Sequence, residues 1–135
     1  MWGRNVNMDP VVTHVLVVDD HPGMAEKVAA VIERAGFRAS WAGGGREGVA
    51  AFHAAKAAGS PFSAIITDFR MPDLDGLALA AAVKGVSPST PVILLTAYVV
   101  TTAGDQLPPY IDAILTKPPS GEELRSTLAR LTAQM

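Results

Sequence analysis

Four short apolar runs in this chain each stop at an acid, a hydroxyl or an amine. His14–Val18 (HVLVV) stops at Asp19-Asp20, Phe62–Thr67 at Asp68, Pro91–Leu95 (PVILL) at Thr96, and Ile111–Leu115 near Lys117-Pro118. Runs of about five residues, rich in β-branched side chains and without polar alternation, read as strands buried on both faces. Phe37–Trp41 is a fifth strand candidate. Between the runs the period changes. Met24, Val28, Val31, Ile32 and Ala35 fall at helical spacing after Pro22, and Gly36 closes that segment. A turn at Gly43–Gly45 precedes a helix over about Arg46–Ala58, with Val49 and Phe52 facing inward. A third helix spans Leu77–Val83, stopped by Gly85. The last opens on Ser120-Gly-Glu-Glu123, where the serine can cap an amide and Glu123 can reach back. Leu124, Leu128 and Leu131 give it an apolar stripe. Residues 98–109 fit neither pattern: Val99, Val100, Thr101 and Thr102 are weak helix formers, and Pro108-Pro109 forbids continuation. Strands alternating with helices predict an α/β fold, a doubly wound parallel sheet with helices on both faces.

The chain has 135 residues, enough for one domain with a real core. Residues 1–12 read as a flexible N-terminal leader and 13–134 as the domain. With 49% hydrophobic residues, a disordered chain is excluded. Cysteine is absent, which excludes disulfides, zinc-thiolate sites and thiol catalysis. No apolar run reaches the ~20 residues of a membrane helix, and the first residues lack the apolar stretch of a signal peptide. The expected location is the cytoplasm, with no membrane partner. A net charge of -2 gives no bulk attraction for nucleic acid, so none is expected as a partner.

In a parallel α/β sheet, function gathers at the carboxyl ends of the strands. That edge would carry Asp19, Asp20, Asp68, Thr96 and Lys117. Three carboxylates a few ångströms apart repel, and one would take up a proton unless a cation intervenes. Mg²⁺ fits, since it accepts a few carboxylates and keeps several waters. Lys117 adds a point charge suited to phosphate oxygens. An aspartate in such a setting can serve as a nucleophile and carry an acyl phosphate.

On the pieces VLVVDD, IITDFRMPDLDG, VILLTA and LTKP, taken in order, the chain resembles the receiver domain of two-component response regulators over about residues 13–134. The resemblance implies a flavodoxin-like sheet of order 2-1-3-4-5. It implies that Asp68 is the phosphoacceptor and that Asp19, Asp20 and Asp68 hold Mg²⁺, with the backbone carbonyl of Arg70 as a further ligand. Thr96 and Lys117 would each bond a phosphoryl oxygen, and Lys117-Pro118 would be cis. The phosphoryl group would come from a histidine kinase or a histidine phosphotransfer protein, the domain catalysing its own phosphorylation and dephosphorylation while switching a protein partner. Two alternatives stay open: a phosphorelay intermediate or phosphate sink without output, and a docking module independent of phosphate. The intact acid set disfavours the second. Arg70 stands where an aspartate-nucleophile phosphatase would want a second acid.

The chain departs from the family at Ile114, where an aromatic switch residue is often found. Tyr110 lies nearby at a position that does not match. The expectation is that residues 98–110 reshape on phosphorylation without a rotating ring. Arg70 and Tyr98 are read as crowding the path of an attacking water, with Ala97 leaving room for the phosphoryl group. Asp73 and Asp75 are read as turn formers or helix caps, His21 as a solvated side chain, and Trp41 as packing.

Overall fold

The computed structural model describes residues 13–97 and 107–133. Five strands, β1 (His14–Val18), β2 (Arg38–Ala42), β3 (Ala64–Asp68), β4 (Val92–Thr96) and β5 (Ala113–Thr116), alternate with helices α1 (Pro22–Arg34), α2 (Gly45–Ala57) and α3 (Gly76–Val86). Helix α4 (Gly121–Thr132) follows β5. All pairings are parallel, and the spatial order is β2-β1-β3-β4-β5. The doubly wound sheet expected from the sequence is therefore the sheet observed. Residues 1–12, expected as a leader, lie outside the described residues, as does most of the unassigned stretch, 98–106.

Strand alternation sorts the core into two halves. Val15 and Val17 point to the side covered by α1 and α4, where Ile32, Leu124 and Leu128 pack. Leu16 and Val18 point to the opposite side, against Phe52 of α2 and Leu79 and Val83 of α3. The inner strands β1, β3 and β4 are buried along nearly their whole length, whereas edge strands β2 and β5 are partly exposed. This is why the inner runs were uniformly apolar and Arg38–Ala42 was not.

Helix ends follow local chemistry. Pro22 opens α1, and Gly36 follows its C-cap with φ +104, a left-handed position that glycine adopts without strain. The capping box of α4 is complete: Ser120 Oγ accepts from Glu123 N–H at 3.0 Å, and Glu123 Oε1 accepts from Ser120 N–H at 3.2 Å. Strand β2 starts one residue later than expected, because Phe37 N–H still bonds Ile32 O in the turn that ends α1.

Gly85 does not stop the third helix, which runs on to Val86. A glycine in a helix costs about 1 kcal/mol, and the last turn has long-range support. Val83 is buried, and Lys84 Nζ meets Asp112 Oδ2 at 2.7 Å. Asp112 Oδ2 also accepts from Val92 N–H at 2.8 Å, which ties the end of α3 to the start of β4.

The loop between β3 and α3 supplies two caps. Asp75 Oδ1 accepts from Ala78 N–H at 2.8 Å and caps α3. Asp73 caps α2, whose own N-cap is Gly44 and has no side chain. Its carboxylate accepts from Arg46 N–H at 3.0 Å and Gly45 N–H at 3.2 Å. The Arg46 amide foremost holds the Asp73 carboxyl below its ordinary range; desolvation opposes it, and the Gly45 amide adds to the lowering. Both residues therefore act as the caps they were read to be.

Candidate functional site

The carboxyl ends of β1, β3, β4 and β5 converge because parallel strands all finish on one edge. Asp19 follows β1, and its N–H bonds Ala42 O at 3.1 Å. Its buried carboxylate accepts from His21 N–H on Oδ1 at 2.9 Å and from Lys117 Nζ on Oδ2 at 3.0 Å. Asp68 closes β3. Its Oδ1 accepts from Phe69 N–H at 2.8 Å and lies 3.2 Å from Lys117 Nζ. Lys117 directly follows β5, its peptide bond to Pro118 is cis, and its own N–H bonds Thr96 O at 2.7 Å. Thr96, at the end of β4, is buried.

One ammonium thus bridges two carboxylates contributed by strands far apart in the chain. Burial alone would lower the pKa of Lys117. The hydrogen bonds and charges of Asp19 and then Asp68 outweigh it, and the net shift is upward.

The acid pair divides its roles. Asp19 is fully engaged, while Asp20 Oδ1 is buried and accepts no hydrogen bond among the described residues. A buried carboxylate oxygen without a donor is costly, and a cation satisfies it. One ligand atom from each of Asp19, Asp20, His21 and Asp68 lies within 4.8 Å of the others. These residues fit a hard divalent ion: oxygen donors, an unmet oxygen, and more negative charge than Lys117 offsets. Beside them a cavity of ≈ 210 Å³ is lined by Asp68, Arg70, Thr96, Ala97, Lys117 and His21. The structure therefore brings together all six residues singled out in the sequence, with Arg70 exposed at the cavity wall. Tyr98 lies outside the described residues.

His21 was read as solvated, and its side chain is 74% exposed, yet its Nδ1 stands 3.4 Å from Asp19 Oδ1 and 3.3 Å from Asp20 Oδ1. The signal was its place next to the acid pair, and only the turn into α1 shows where the ring goes. Tyr110 sits with φ +68 and is exposed. Ile114 is half-buried against the α2–α3 side of the core.

Gly76 fixes how closely α3 approaches the site. A Cβ there would lie 2.4 Å from the carbonyl oxygen of Asp68 and 3.0 Å from Leu94 Cδ1. Gly76 is the first residue of α3, where alanine gains little helix propensity, and overpacking against a fixed backbone carbonyl costs about 1–3 kcal/mol. Gly76→Ala is expected to destabilise the domain by about 1–2 kcal/mol and displace Asp68. Urea unfolding checks the first part; unchanged or raised stability would reject it.

The family model described as the response regulator receiver domain matches residues 15–129. The chain belongs to that family. Among curated relatives, this receiver domain is 32% identical over 119 residues to the transcriptional regulatory protein TcrA of Mycobacterium tuberculosis, covering 87% of this chain and 45% of that protein. Among solved structures, the chemotaxis protein CheY4 of Vibrio cholerae aligns with TM-score 0.76 and 30% identity, over 90% of this chain and 99% of that one. The regulator TrrA of Thermotoga maritima, in complex with Mg²⁺-BeF, aligns with TM-score 0.73 and 26% identity, over 89% and 99%. The receiver domain spans less than half the length of the curated relatives it matches. Those relatives are transcriptional regulatory proteins, so the expectation of no nucleic-acid partner gains no support. Among the described residues, no helix is long and apolar enough to cross a membrane.

Proposed function

We propose that Asp68 is the phosphoacceptor of this receiver domain and that the phosphohistidine of a histidine kinase or phosphotransfer protein is its donor. The observation that carries this reading is the Lys117 ammonium bridging Asp19 and Asp68 beside the unmet oxygen of Asp20. Asp68 Oδ2 attacks phosphorus, the phosphorus–nitrogen bond breaks, and its electron pair stays on the donor imidazole. Phe69 N–H and Lys117 hold Oδ1 and so aim the carboxylate. Lys117 then passes from Asp68 to a phosphoryl oxygen, and the Thr96 hydroxyl takes another. Asp19, Asp20 and the carbonyl of Arg70 would hold Mg²⁺, whose charge offsets that of the phosphoryl oxygens. The relative TrrA with Mg²⁺-BeF supports this assignment.

With Mg²⁺ and a small acyl-phosphate donor, the chain is expected to gain one phosphoryl group, read by intact mass. A chelator should abolish the gain. Label that persists without metal, or none with it, would reject the reading.

The read-out follows from Ile114. An aliphatic side chain packed on the core cannot swing as a ring does, so the segment 98–110 carries the change, and its residues 98–106 lie outside the described set. Hydrogen exchange of that segment should differ between the free and phosphorylated chains; identical protection would end the idea.

A further inference from the structure

We propose that His21 Nδ1 is a ligand of the divalent ion held by Asp19 and Asp20, extending the site's choice from Mg²⁺ to ions that accept imidazole, such as Mn²⁺ and Ni²⁺. The inference rests on the metal-binding reading above. Its geometry is specific. Neighbouring donors on an octahedral ion, each at about 2.1 Å, stand about 3.0 Å apart. His21 Nδ1 lies 3.3 Å from Asp20 Oδ1 and 3.4 Å from Asp19 Oδ1, close to that edge length on both sides.

A plain hydrogen-bonded pair accounts for the contact less well. Asp20 Oδ1 accepts no hydrogen bond although the ring nitrogen is near it. The contact to Asp19 is longer than the usual 2.7–3.2 Å range. The ring nitrogen thus stands between two carboxylate oxygens, making one long hydrogen bond to Asp19 and none to Asp20.

The backbone presets the ring. His21 precedes Pro22, which disfavours helical geometry at the preceding residue. His21 accordingly sits extended, at φ -101 and ψ 100, as the N-cap of α1, yet its side chain makes no capping bond. The exposed ring can enter a coordination shell without disturbing the core.

Ligand chemistry then makes the prediction directional. Mg²⁺ takes oxygen donors and gains little from imidazole, whereas Ni²⁺ and Mn²⁺ accept both. The whole chain, His21→Ala, His21→Gln, His53→Ala and Asp20→Asn would be titrated calorimetrically with MgCl₂ and NiCl₂. Bound Mn²⁺ would be examined by electron spin-echo modulation for a nitrogen ligand. The expected result is nitrogen modulation in the parent and His53→Ala, and none in either His21 variant. The Ni²⁺ affinity of both His21 variants should fall about tenfold, and their Mg²⁺ affinity by less than about twofold. Modulation missing from the parent, retained in His21→Ala or lost in His53→Ala would overturn the proposal. So would Ni²⁺ and Mg²⁺ affinities that fall together, since His21 would then act through charge or folding. Undiminished binding of both ions to Asp20→Asn would instead overturn the acid-pair reading beneath it.

Discussion

Asp68→Asn is expected to take up no phosphoryl group from a small acyl-phosphate donor under conditions where the parent chain is expected to take up one. The amide holds the same place at the end of β3 but lacks the carboxylate charge and lone-pair basicity needed to attack phosphorus. The same change is expected to stabilise the metal-free fold. Three carboxylates share this edge against one ammonium, so replacing one of them relieves like-charge repulsion. A gain of about 1 kcal/mol is typical when a strained functional group is neutralised. For a domain of this size that is a rise of roughly 3–5 °C in Tm. Intact mass and thermal denaturation in a chelator check the two halves separately. Label on the variant would move the acceptor elsewhere. A variant less stable than the parent would mean that the Lys117 contact outweighs the repulsion.

The second large effect is expected at Lys117. Lys117→Met keeps most of the unbranched side chain and removes the only charge seen bridging Asp19 and Asp68 among the described residues. Asp19, 3% exposed, is then left with His21 alone among those residues, through its backbone N–H at 2.9 Å and its ring Nδ1 at 3.4 Å. Removing one partner of a fully buried pair costs about 3–5 kcal/mol. Here the lysine borders a cavity that opens to solvent, and a loss of about 2–3 kcal/mol is expected after that discount. Mg²⁺ should restore part of it by supplying another countercharge. Phosphoryl uptake should slow by about 10²-fold, the usual effect of deleting one electrostatic contact in a transition state.

Alkaline pH tests the same bond. The folded Lys117 pKa lies above the ordinary 10.5. Its stabilisation is therefore complete below 10.5 and is lost as pH rises through the higher folded value. The gap in stability between parent and Lys117→Met should hold at neutral pH and close only above 10.5. A gap that already narrows near neutrality would assign the stability to a different group.

Much of this fold is legible because its signals are local. Val15 to Val18 are uniformly apolar since β1 is covered on both faces, and Pro22, Gly36 and Ser120 mark helix ends through their own backbone or side-chain chemistry. Gly85 misled for the complementary reason. Local propensity argues for a stop, and contacts from Val83 and from Lys84 to Asp112, 28 residues away, carry the helix past it. The site residues were legible as a set because each ends a strand. The place of the His21 ring against the acid pair was not, since the turn into α1 that sets it there leaves no mark in a string of letters.

Period and punctuation in the amino-acid order were enough to determine five strands, the helices beside them, and the polar residue at most strand ends. Only the tertiary structure decided which of those residues meet. It joined Lys117 to Asp19 across 98 positions, set Asp73 on the amides of α2, and left Asp20 with an unsatisfied oxygen beside His21. Hydrophobic periodicity is a property of near neighbours along the chain, whereas charge pairing depends on distances that exist only once the sheet has brought its ends together.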